Sequence, residues 1–152
     1  QVEEVGKNVR VQMGKVTVHD LALELTKEDT TFSFSHIDTG VPHAITFVDD
    51  VEKVDVQTLG AYFRHHPAFG KAGTNVNFVD PKTLTIRTFE RGVEGETLAC
   101  GTGCTAAAFA LHQLHGKKSP ITLQVKSKEH VTIDIEGEMC TMTGPATWIR
   151  DV

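Results

Sequence analysis

The sequence predicts an α+β fold, a central buried helix wrapped by a curved, mainly antiparallel sheet or barrel. Three observations predict it. Segments of alternating apolar residues recur along most of the chain. The stretch Thr105–His115 is apolar around most of its circumference, so it must be buried on nearly all sides. Its run of alanines lets strands come close to the helix axis. At 152 residues the chain is one domain, 1–152, with no linker, repeat or low-complexity tract.

The elements follow in order. Val9–Met13 alternates and is expected to stop at Gly14. Leu21–Leu25 and Thr31–Ser35 alternate as strands. His43–Val48 is rich in β-formers and ends at Asp49-Asp50. The acidic Val48–Glu52 stretch reads as the solvated entry to a helix. Val54–His66 places Val56, Leu59 and Phe63 on one helical face, and Pro67 ends it. Asn75–Val79 and Thr83–Phe89 flank the turn signal Asp80-Pro81. Gly116 closes the apolar helix. Thr122–Lys126, Val131–Ile135 and Ala146–Arg150 read as late strands. Glu136-Gly137-Glu138 and Thr143-Gly144-Pro145 are expected to punctuate them.

Composition excludes several classes. Hydrophobic residues make up 39% and charged residues 23%, a globular balance rather than a disordered one. The net charge of −5, without a basic stripe, disfavours nucleic acid as a partner. No apolar run approaches the ~20 residues of a membrane-spanning helix. Three cysteines cannot all pair with one another, and no secretory leader is visible. Reduced thiols and a cytoplasmic setting are therefore expected.

The chemistry concentrates between Arg87 and Cys104. A strand ends near Phe89, a glycine-rich loop follows, and Cys100-Gly101-Thr102-Gly103 opens the buried helix. Free amides and the dipole at such an end favour an anion, for instance a carboxylate. The same position should lower the pKa of Cys100. Glu90, Arg91 and Glu96 are expected to place charges beside this mouth. The residues alone leave two readings of Cys100, a reactive thiol or a buried cysteine on a tight turn. Cys104, one helical turn inward, reads as a core thiol. No lysine follows Gly-Thr-Gly, which argues against a phosphate-binding P-loop. A cysteine hydrolase with His43 as its base needs the two side chains to meet. His112 and His115 lack a third ligand, so no metal site is expected.

Glu90-Arg91-Gly92 followed by Gly95-Glu96-Thr97-Leu98-Ala99-Cys100-Gly101-Thr102-Gly103 resembles the second-half signature of the diaminopimelate epimerase family. Met13-Gly14, Gly40-x-Pro42-His43, Thr74–Phe78 and Met142–Ala146 flank it in the family's order. The resemblance runs from about Val9 to Val152. It implies that residues 1–152 are the C-terminal lobe of a two-lobed enzyme whose N-terminal lobe, with a second catalytic cysteine, lies outside this sequence.

The resemblance also implies an activity. LL-diaminopimelate is epimerised to meso-diaminopimelate, in lysine and peptidoglycan-precursor biosynthesis, with no cofactor and no metal. One thiolate takes the α-proton and a thiol on the opposite face returns one. Cys100 would be one of these catalytic thiols, with His43 and Glu90 tuning the thiol pKa values. Gly101 and Thr102 would hold the reacting carboxylate. Arg91 would pair with the distal carboxylate, the Glu90 and Arg91 carbonyls would take the distal ammonium, and Asn75 would bind the distal end. Structural readings stand beside these: Arg91 paired with Glu96, Asn75 as a turn residue, His43 as a satisfied strand histidine. The family pattern further implies a homodimer. Many members carry Asn where this chain has Val41, and Glu94 lengthens the loop after Arg91. Both leave room for a broader cofactor-independent amino-acid racemase. An inactive lobe that binds a carboxylate ligand or a partner lobe is the non-enzymatic alternative.

Overall fold

In the computed structural model, residues 2–5 and 8–145 are described. Among these residues eleven strands form one mixed sheet. They are β1 (Val2–Val5), β2 (Asn8–Lys15), β3 (Thr17–Lys27), β4 (Thr30–Asp38), β5 (Pro42–Phe47), β6 (Asn75–Asp80), β7 (Thr85–Glu90), β8 (Gly95–Thr97), β9 (Ile121–Gln124), β10 (His130–Glu136) and β11 (Met139–Pro145). Helix α1 spans Val56–Arg64 and α2 spans Gly101–His115. The spatial order is β1-β2-β11-β10-β9-β7-β6-β5-β4-β3, with β8 added beside β7. Among the described residues only β5–β6 and β7–β9 pair in parallel.

Among the described residues the sheet stays open rather than closing into a barrel. β2 runs on into β3 through the buried Val16 and does not fold back against it, so β1 and β3 are left as the two ends. The sheet is strongly curved nonetheless. β4, β5, β6, β7, β9, β10 and β11 all touch α2, which one sheet achieves only by bending around the helix. Ala106, Ala107, Ala108, Ala110 and Leu111 are fully buried in the larger core. As far as Leu111 the helix offers no solvent face, and its small side chains allow strands on nearly every side, while Gln113, Leu114 and His115 at its end are exposed. Gly116, at φ +64°, ends it in the left-handed conformation.

Two punctuation readings are corrected. Gly14 does not end the first predicted strand. At φ +84° it stands where the β2–β11 register slips, leaving Met13 as the extra residue of a bulge, and β2 continues to Lys15. Thr143-Gly144-Pro145 is not a turn but the end of β11, paired with β2. Pro145 lies at the terminal pair, where a missing N–H costs little. The expected strand at Ala146–Arg150 falls outside the described residues.

β6 is buried at all six positions. Its two faces serve different cores. Val76 and Phe78 join Phe34, Phe63, Phe69 and Phe89 in a second cluster under α1, and Val79 joins the alanine helix. Asn75 and Asn77 lie on the same face as Val79, by the two-residue period of a strand. α1 reaches this cluster because Gly60 has no side chain. A Cβ there would stand 2.5 Å from Phe89 Cβ. Asp55 caps α1 through the Thr58 amide.

Candidate functional site

The site gathers at the N-terminus of α2, where β5, β6, β7 and β8 meet it. Cys100 is the cap residue, in extended conformation, and the first helical bond runs from Cys104 N–H to the Cys100 carbonyl. The amides of Gly101, Thr102 and Gly103 therefore precede the ladder. Thr102 Oγ1 lies 3.5 Å from Cys100 Sγ and 2.8 Å from His43 Nε2. His43 is fully buried on β5. Its Nδ1 lies 3.0 Å from the Asn77 carboxamide nitrogen. Thr88, opposite Asn77 on β7, donates to Asn77 Oδ1 at 2.8 Å.

A second group anchors the loop that carries Arg91. Asn75, paired with His43 in the parallel ladder, donates to the Pro42 carbonyl and accepts the Arg91 N–H, at 2.9 and 2.8 Å. It is a buried strand residue, not a turn residue. Glu94 holds the tip of the loop, accepting from the Gly92 N–H and from Arg64 Nε, both at 2.8 Å. Those two bonds hold its carboxyl below the usual range. The residue that lengthens the loop thus straps it to α1. Arg91 does not pair with Glu96. Arg87 engages Glu96 bidentately at 2.6 and 2.7 Å, and Lys126 adds a third contact at 2.8 Å. Glu96 therefore faces away from the mouth. Its burial would raise its pKa, but Arg87 and Lys126 overcome that and hold it down.

Glu90 accepts from the Thr97 hydroxyl at 2.9 Å and its charge bears on Cys100. The expectation of a lowered Cys100 pKa is overturned. Burial first, then the Glu90 charge, push the thiol up to about 11, while Thr102 and the Gly103 amide pull the other way. With the cysteine 8% exposed, removal from water outweighs the helix end. Burial, then the Arg91 charge, push His43 down to about 3, so its imidazole is neutral at ordinary pH.

One consequence is measurable. The unfolded chain takes up a proton near pH 6.5 that the buried His43 refuses until about 3. Stability therefore falls as pH drops through that window. Urea midpoints across it should decline less steeply in His43→Gln, by about one proton's worth of slope.

The sulfur and imidazole do not meet, since Thr102 stands between them, which removes the arrangement of a cysteine hydrolase. Cys104 is fully buried in the alanine-helix core, and Cys140 is buried on β11. His112 bonds the Lys117 carbonyl and His115 packs on Phe47. Among the described residues no group of three or more His, Cys, Asp and Glu side chains could hold a metal. No described helix is long and apolar enough to cross a membrane. Sequence reasoning assigned no role to Asn77 or Thr88. The signal available was Asn75-Val-Asn77-Phe-Val, two polar residues at strand period on an otherwise apolar strand.

The sequence comparisons point to one family. The diaminopimelate epimerase family model matches residues 35–149. A diaminopimelate epimerase of Aquifex aeolicus is 44% identical over 145 residues, 91% of this chain and 51% of that protein. One of Hydrogenobaculum is 41% identical over 93% of this chain and 53% of its own length. This chain spans about half the length of these curated relatives. Among solved structures, a probable proline racemase from Agrobacterium radiobacter K84 superposes with a TM-score of 0.70 at 16% identity, covering 91% of this chain and 51% of that one. A hydroxyproline epimerase from Agrobacterium vitis gives 0.68 at 17% identity, over 95% and 52%. At these identities the likeness is one of fold. With most of its length matched by the family model and its relatives above 40% identical, the chain belongs to the diaminopimelate epimerase family.

Proposed function

We propose that this chain forms one wall of a cofactor-independent, two-thiol active site that epimerises LL-diaminopimelate to the meso form. The reading places it in lysine and peptidoglycan-precursor synthesis in the cytoplasm. The observation that carries it is the placement of Cys100 at the entry of α2, with the unladdered amides of Gly101 and Thr102 beside it, in a chain of this family. Cys100 exchanges a proton with the α-carbon, and those amides hold the carboxylate as charge develops on it. A thiol pushed up to about 11 is a scarce but strong base, suited to a weakly acidic C–H. The ammonium of the bound substrate favours its thiolate.

Arg91 takes the distal carboxylate, its described neighbours Glu94 and Glu96 being bound elsewhere. Asn75 and Glu90 hold the distal end, Asn75 also fixing the Arg91 backbone. Glu90 and, through Thr102, His43 tune the thiol. The opposite wall, with the second cysteine, comes from a partner lobe matching the other half of the family's length. Two copies of the complete enzyme form a homodimer.

The test is proton NMR of diaminopimelate in D₂O under reducing conditions, with the chain alone and with the first half of a full-length relative added. Deuterium should enter the α-position with inversion once both halves are present. No exchange in either sample overturns the reading. Val41 supports one rival, a broader racemase, because valine donates no hydrogen bond to a substrate. Faster exchange on single amino acids than on diaminopimelate would establish that rival.

A further inference from the structure

The hydrogen bonds behind Cys100 have a direction, and one side chain sets it. The Ala44 carbonyl can only accept, and the Asn77 carboxamide meets it at 3.1 Å through Nδ2. The other end, Oδ1, takes the Thr88 hydroxyl at 2.8 Å. These two contacts fix the amide's orientation without reference to the imidazole. The second Nδ2 hydrogen then points at His43 Nδ1, 3.0 Å away. Nδ1 must accept, so the neutral ring carries its hydrogen on Nε2. That hydrogen goes to Thr102 Oγ1 at 2.8 Å, and the Thr102 hydroxyl hydrogen is left for Cys100 Sγ at 3.5 Å.

We propose that Asn77 is a positioning residue for the thiol: by holding His43 in its Nε2–H tautomer it turns the Thr102 hydroxyl onto the sulfur of Cys100. A hydroxyl aimed at sulfur stabilises thiolate over thiol, working against burial and the Glu90 charge. An independent observation supports a built device. A Cβ on Gly103 would stand 2.6 Å from Asn77 Oδ1, 3.3 Å from Cys100 Sγ and 3.3 Å from His43 Cε1. The helix end thus clasps the amide, the ring and the sulfur together, and only glycine leaves them room. The proposal rests on Cys100 being the working thiol of the reading above, but it needs no substrate to be tested.

The experiment uses the chain itself. Nitrogen-15 NMR of His43 should show a neutral ring protonated on Nε2 between pH 6 and 8. A ring protonated on Nδ1, or an imidazolium, overturns the proposal. Iodoacetamide alkylation of Cys100, followed by peptide mass spectrometry across pH, gives the second readout. Asn77→Ala and Thr102→Val should each slow it by about three- to tenfold below the thiol's pKa, the size of one hydrogen bond. The double variant should be no slower than either single one. Additive losses, or an Asn77→Ala profile equal to the parent's, refute the coupling. Loosening of the fold alone would expose the sulfur and speed alkylation in both backgrounds. Should Asn77→Ala fail to fold, the His43 spectrum still decides. Absent α-proton exchange, by contrast, would sink the functional reading and leave these results standing.

Discussion

Cys100→Ala, in the complete two-walled enzyme, is expected to lower α-proton exchange on diaminopimelate by at least about 10³-fold, within or beyond the range of a lost general base. No other thiol of the chain can substitute. Cys104 is fully buried one turn inside α2, and Cys140 is buried on β11. Alanine keeps the extended cap conformation and removes only the sulfur. Folding should be untouched, which circular dichroism and the thermal midpoint would verify. Cys100→Ser separates the chemistry further. A hydroxyl fills the space but ionises far less readily, so exchange should stay near the alanine level. Exchange at the parent rate in Cys100→Ala would remove the sulfur from the mechanism.

Phe63→Ala should cost about 3–5 kcal/mol of stability. Phe63 is fully buried on α1 and meets Phe34 and Phe32 edge-on, at ring-centroid distances of 4.8 and 5.1 Å. Those contacts join α1 to β4. Deleting the ring opens a cavity that its rigid aromatic neighbours cannot collapse into, and it forfeits the edge-to-face terms as well. For a domain of this size the thermal midpoint should fall by about 10 °C or more. Tyr62, the next residue and 42% exposed, is the control. Tyr62→Ala should shift the midpoint by only a few degrees. Similar losses at both positions would mean that the phenylalanine cluster is not the organising core of α1.

The two helices were legible because their signals are local. Apolar residues around most of the circumference of Thr105–His115 dictate burial, which holds as far as Leu111, and Val56, Leu59 and Phe63 dictate a face. Cys100 was legible as a helix entry for the same reason. Its pKa was not, because burial is set by strands distant in sequence, and desolvation there exceeds the effect of the helix end. Glu96 misled because it lies five residues from Arg91, but strand alternation sends it to Arg87 and Lys126 instead. Asn77 was hidden among ordinary strand residues. Its role exists only once β5 and β7 flank it, bringing Ala44 and His43 on one side and Thr88 on the other. Gly14 and Gly144 looked like stops, because a glycine that permits a bulge or ends a ladder reads the same as one that makes a turn.

β6 carries the polar residues behind Cys100 on one face and the phenylalanine cluster on the other, and a strand cannot move one face without the other. Phe78 lies on the face opposite Asn75 and Asn77, and its packing sets where they stand. Thermal robustness and the geometry behind Cys100 therefore draw on the same few side chains. A screen for heat tolerance that returns changes at Phe34, Phe69 or Phe78 should return altered alkylation of Cys100 with them. As relatives diverge, substitutions in that cluster should arise in compensating sets, since an isolated one would be felt at the N-terminal end of α2.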